Sequence, residues 1–142
     1  MAFSNPASDE VRRLLTEART IAVVGASNKP YKPSHRIFSY LRSAGYRVYP
    51  VNPQESEVQG EPSYERVQDI PEKVDIVDVF RRAEHTPQVA ADAVEAGAGA
   101  LWLQLGIENE EAAATASAAG LTVVMDMCIA VEHGELGIPP KS

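Results

Sequence analysis

Residues 20–24 read Thr-Ile-Ala-Val-Val and stop at Gly25. So short and apolar a run, closed by a glycine, reads as a strand buried on both faces. A loop with two lysines and two prolines follows. Pro33 and Ser34 then open a helix, with Ile37, Phe38, Leu41 and Ala44 on one apolar face and Gly45 as its C-cap. Tyr46–Val51 reads as a second strand, halted at Asn52–Pro53. A buried strand, a glycine turn, a helix and another strand make a right-handed βαβ unit. That unit restricts the chain to a parallel sheet clad with helices.

The rest of the chain keeps this rhythm. Val11–Ala18 has helical spacing, with Ser8 or Asp9 as N-cap, so residues 1–18 form an N-terminal helical segment. Val58–Tyr64 is expected to add a short edge strand, and Val74–Phe80 a clear one. A helix is expected from Thr86 or Pro87 to Ala96, a strand at Ala100–Leu103, and an alanine-rich helix at Glu108–Ala119. Leu121–Met125 is the last strand. The stretch from Val131 onward is rich in Gly and Pro and is expected to be mostly irregular, with residues 134–142 as a tail. The fold class is therefore α/β: a Rossmann-like, doubly wound, mostly parallel sheet with helices on both faces.

The 142 residues suit one domain, 1–142. No apolar run is long enough to span a bilayer, and the first residues lack a signal-peptide core. One cysteine, Cys128, allows no internal disulfide. The expectation is a cytoplasmic protein without membrane partners. A net charge of −7 argues against nucleic acid. Yet from Thr20 to Gln54 there is no Asp or Glu, while Lys29, Lys32, Arg36, Arg42 and Arg47 are all present. That points to a local anion site; the plainer alternative is a solvated basic helix face.

Doubly wound sheets bind ligands beyond the C-terminal strand ends, beside the first strand. The segments there are Gly25–Ser34, Asn52–Pro53, Phe80–Arg82, Gln104–Gly106 and Met125–Cys128. Gly25 lets backbone approach a ligand, Ser27 offers a hydroxyl, and the helix start near Ser34 offers free N–H groups. Lys29, Lys32 and Arg36 add charge, which makes a coherent phosphate site. The alternative is a glycine that only makes the turn. Neither GxxxxGK[ST] nor GxGxxG is present. Where NAD-binding folds place an acid for the ribose, this chain has Asn52. That argues against NAD and leaves NADP or a 3′-phosphorylated adenosine open.

Together "VVGASNKPYKPSHRI", "YRVYPVNPQ", "VDIVDVFRR", "LWLQLGI" and "VVMDMCIAVEH" resemble the small CoA-binding protein family. These are stand-alone relatives of the CoA-binding domain of the succinyl-CoA synthetase alpha subunit. The resemblance runs from about Thr20 to His133. It implies coenzyme A, or an acyl-CoA, lying across the strand ends of a Rossmann-like domain. It also implies that Gly25, Ala26 and Ser27 contact the phosphates, with Lys32 and Arg36 as charge partners. Asn52 and Pro53 would lie near the adenosine, and Phe80 and Arg81 near the pyrophosphate or pantetheine arm. Gln104 and Gly106 complete the expected set.

Catalysis by this chain alone is not expected. The related synthetase needs a phosphorylated histidine in a further domain, and a partner subunit. His35 either touches a phosphate or faces solvent, and His85 and His133 read as capping or surface residues. No histidine pair has metal-ligand spacing. Asp75 and Asp78 are not an evident acid–base pair, Asp126 alone makes no mechanism, and no GxSxG is present. Cys128 has two readings: a thiol beside that of CoA, forming a mixed disulfide under oxidation, or a small buried apolar residue, the favoured one. The expected function is noncovalent binding of CoA or acyl-CoA without a reaction. The alternatives are a partner-dependent part of an acyl-CoA ligase or transferase, and an NAD(P) sensor. The sequence sets no oligomeric state.

Overall fold

In a computed structural model, which describes residues 3–141, the strand at Thr20–Val24 (β1) is buried along its whole length. It follows a helix, Ser8–Glu17 (α1), and leads to α2 (Pro33–Ser43) and β2 (Arg47–Val51). A small hairpin, β3 (Glu57–Val58) and β4 (Glu61–Pro62), precedes β5 (Ile76–Val79). Then come α3 (Thr86–Glu95), β6 (Ala100–Leu103), α4 (Glu110–Ala118), β7 (Thr122–Val124) and α5 (Ile129–Glu135).

Five strands form one sheet in the order β2-β1-β5-β6-β7, and all four pairings are parallel. The chain goes outward from β1 to β2, then crosses back to lay β5 on the other side of β1. That reversal opens a crevice at the carboxyl ends of β1 and β5, where an open α/β sheet binds its ligands.

Period-two alternation divides the core. Ile21 and Val23 face α1, α2 and α5 with Leu15, Phe38, Leu41 and Ile129. Ala22 and Val24 face α3 and α4 with Val89, Ala93, Ala112 and Ala116. The alanines of α3 and α4 let those helices pack closely on the sheet. Trp102 on β6 is fully buried, and its indole N–H donates to the Met127 carbonyl at 2.8 Å.

Four expectations need correction. Val58–Tyr64 is not one edge strand. It breaks into the β3–β4 hairpin, with Tyr64 bridging Val51, because Gln59 and Gly60 both take positive φ and turn the chain. The region after Val131 is not mostly irregular, and the tail does not start at 134: α5 runs to Glu135. Burial of Ile129 and His133 holds this helix despite Gly134 near its end. His133 is neither capping nor exposed. Its Nδ1 lies 2.8 Å from the Tyr40 hydroxyl, and its ring meets Tyr40 and Tyr46 edge-on. At α1, Ser8 is the first helical residue and Ala7 the N-cap, with Asp9 and Glu10 in the first turn complementing the helix dipole.

Candidate functional site

β1 ends at Gly25, whose φ of +90° is a conformation that L side chains rarely adopt. A Cβ there would stand 2.5 Å from the Phe80 carbonyl oxygen, because the ends of β1 and β5 converge at this point. The Gly25 N–H donates to Val51 O and the Phe80 N–H to Val24 O, so three strand ends are tied together at the crevice floor.

The loop after Gly25 is fixed by its own side chains. Ser27 Oγ accepts from the Lys29 N–H at 3.0 Å. Asn28 donates to Glu55 and to the Glu57 carbonyl, which pins the loop to the hairpin. His35 Nδ1 lies 3.1 Å from the Ser27 carbonyl, turned to the loop. α2 then begins at Pro33, with Lys32 as N-cap and no acid in its first turn. Its free N–H end and positive dipole point to the crevice.

A cleft of about 580 Å³ opens above these strand ends. Lys32, Arg36, Arg81 and Arg82 contribute cations, and Pro33, Ile37, Phe80, Leu105, Ile107 and Cys128 an apolar wall. A second compartment of about 340 Å³ shares Gly25, Lys32, Phe80, Arg81 and Arg82, and extends past Asn52, Pro53 and Gln54. No acidic side chain lines either compartment. Beyond Pro53 and Arg81 lies a third hollow of about 180 Å³, floored by Val24, Val51, Val67 and Val89 and rimmed by Glu65, His85, Gln88 and Asp92. Four cations without a carboxylate among the lining residues make this edge electropositive on a chain of net charge −7.

Of the residues expected from sequence, Gly25, Lys32, Arg36, Phe80, Arg81 and Gln104 line the larger compartment, and Asn52 and Pro53 the second. The Asn52 amide donates to the Ala26 carbonyl at 2.8 Å and accepts from the Gln54 N–H, so it braces two loops. Gln104 is nearly buried, and its Oε1 accepts from the Ile129 N–H at the start of α5. Ala26, Ser27 and Gly106 line neither compartment: Ala26 is fully buried, Ser27 is half-buried with its hydroxyl turned to its own loop, and the Gly106 N–H donates to the Asp126 carboxylate at 2.7 Å. Ile37 and Ile107 were not read as site residues from sequence, and Arg82 and Leu105 figured only within the segments placed at the strand ends. The signal for Leu105 and Ile107 was there: apolar residues beyond a strand's C-terminal end. Cys128 is half-buried as the N-cap of α5 and faces the cleft, less enclosed than its favoured reading had it.

The comparisons with known proteins bear on the fold and the family. The Bacillus subtilis protein YneT is 40% identical over 131 residues, 92% of this chain and 97% of that one. A solved structure from Pyrococcus horikoshii superimposes with a TM-score of 0.90 at 38% identity, covering 96% of this chain and 99% of that one. The alpha subunit of ADP-forming acetate–CoA ligase II from Pyrococcus furiosus is 40% identical over 80 residues; the match covers 56% of this chain and only 18% of that subunit. The family model described as a CoA binding domain matches residues 19–134, from the residue before β1 into α5, and the chain belongs to that family.

Proposed function

We propose that this chain binds coenzyme A or an acyl-CoA noncovalently in the cleft at the strand ends and performs no reaction by itself. The observation that carries this reading is the acid-free lining, with Lys32, Arg36, Arg81 and Arg82 gathered around Gly25. Gly25 and the start of α2 face the diphosphate, with Lys32 and Arg81 as its charge partners. The adenosine lies on the Asn52–Pro53 side, where the valine-floored hollow suits a flat ring and its polar rim the ring nitrogens. Phe80 and Arg81 flank the bridge between phosphates and pantetheine. Membership in the CoA binding domain family supports the same ligand.

A second reading is favoured by the acetate–CoA ligase relative, in which the matched stretch is a small part of a longer subunit. In that reading the chain presents bound CoA to a catalytic partner.

The test is a thermal-shift panel of CoA, acetyl-CoA, NAD, NADP and ATP, at low and high salt. CoA at a hundred times its Kd should stabilise by about 2.7 kcal/mol, a shift of several degrees. Arg81→Ala should weaken CoA binding by roughly tenfold at low salt and by less at high salt. A shift with NADP alone, or an Arg81→Ala variant that binds CoA as tightly as the parent, would reject the assignment.

A further inference from the structure

The two compartments of the cleft differ in chemistry. They share the cations around Gly25, which fix where phosphates sit. On one side the lining turns polar, with Asn52 and Gln54. On the other it turns apolar, with Ile37, Leu105, Ile107 and Cys128. A ligand held by its phosphates at the centre must send one arm each way. The adenosine, with its ring nitrogens and hydroxyls, matches the polar side. The pantetheine arm and whatever its sulfur carries then run along the apolar side.

Leu105 makes that side informative. It is 69% exposed although it directly follows four buried strand residues and buried Gln104. Exposed large apolar side chains are few among the described residues, and this one overhangs the cleft. A hydrocarbon chain on the sulfur of that arm would cover Leu105 and Ile107 more fully than a free thiol or an acetyl group.

We infer that the apolar end of the cleft, formed by Ile37, Leu105 and Ile107, is a subsite for the acyl chain of a CoA thioester. The chain therefore discriminates in favour of acyl groups longer than acetyl. This inference rests on the CoA reading above and specifies the substrate class for the same site.

The experiment is isothermal titration of the purified protein with CoA, acetyl-CoA, butyryl-CoA, hexanoyl-CoA and octanoyl-CoA, repeated on Leu105→Asn. Affinity should rise by about two- to fourfold per added methylene until the wall is covered, then level off. In Leu105→Asn, whose exposed side chain contributes little to the core, the ratio of CoA to octanoyl-CoA dissociation constants should fall by about tenfold. Equal affinity for CoA and octanoyl-CoA would overturn the subsite while leaving CoA binding intact. An unchanged ratio in Leu105→Asn would overturn its placement at this wall. Absence of binding by every member of the series would instead reject the CoA reading itself, a separate failure.

Discussion

The two edges of the sheet treat charge in opposite ways. At the amino-terminal edge the carboxylates of Asp75 and Glu72 are matched within the protein. The Asp75 carboxylate accepts from the Arg19 N–H at 2.8 Å and the Thr20 N–H at 3.2 Å. Thr20 Oγ1 reaches the Lys73 carbonyl at 2.8 Å, and Arg47 pairs with Glu72. At the carboxyl edge Lys32, Arg36, Arg81 and Arg82 meet no carboxylate. Among the described residues, Arg47–Glu72 is the only ion pair within 4.0 Å. A fold closes its own electrostatics where it needs only stability and leaves them open where something charged is to arrive.

The largest expected effect breaks this division at Gly25, where fold and site share one residue. Gly25→Ala must take a positive φ and push its Cβ against the Phe80 carbonyl, part of the backbone just beyond β5. Strain and overlap together cost about 2–4 kcal/mol, or roughly 10 °C in Tm. The crevice floor also shifts, so the stabilisation by CoA should disappear. Thermal scans with and without CoA check both. A variant that keeps the full CoA shift would show that the ligand does not use the backbone at this turn.

Gly25 was legible because its reason is local: an apolar run, a glycine and an acid-free loop are adjacent in sequence. The strand–helix rhythm from α1 to β7 was legible for the same reason, with boundaries within about three residues, whereas α5 was not foreseen. What could not be read depends on contacts between distant parts of the chain. Leu105 and Ile37 share a wall only because the sheet sets β6 on the far side of β5 from β1. His133 looked like a surface residue because Tyr40, its hydrogen-bond partner, is 93 positions away. Asn52 was read as a ligand contact from its place after β2, but its bond to Ala26 needs the folded loop to be seen.

A second effect sharpens the comparison within one strand. Asp75 stands just before β5 and is hydrogen-bonded, whereas Asp78, three residues on, is fully buried and neither carboxyl oxygen has a partner. Burial raises the Asp78 pKa well above the usual carboxylate range. Above about pH 4 the unfolded chain ionises this group while the folded protein keeps it protonated. Unfolding then releases a proton, so stability falls as pH rises, by up to about 1.4 kcal/mol per unit until the folded form ionises too. Asp78→Asn removes this slope. Its stability relative to the parent should grow from pH 4.5 to pH 8. His133 acts in the opposite sense: burial lowers its pKa, so its contribution is lost as pH falls through the unfolded value near 6.5. Subtracting parent from variant cancels that term. Parallel urea-derived stability curves across the pH range would refute the Asp78 assignment.

The smallest effect belongs to the ion pair of the amino-terminal edge. Arg47 Nη2 lies 2.6 Å from Glu72 Oε1, and the Tyr49 hydroxyl donates to the other carboxylate oxygen. Both partners hold the Glu72 carboxyl below the usual glutamate range. A depressed acid stabilises above its unfolded pKa and loses that contribution as pH falls. Here the loss is slight, because the two side chains are 60% and 31% exposed and water screens them. Glu72→Ala should lower the thermal midpoint only marginally, by an amount that fades with added salt. CoA affinity should not change, since the pair lies at the opposite edge from the cleft. Calorimetry with and without salt checks the first expectation and a CoA titration the second. A clear loss of CoA affinity in Glu72→Ala would mean that the two edges are coupled through β2, and their division of labour would have to be abandoned.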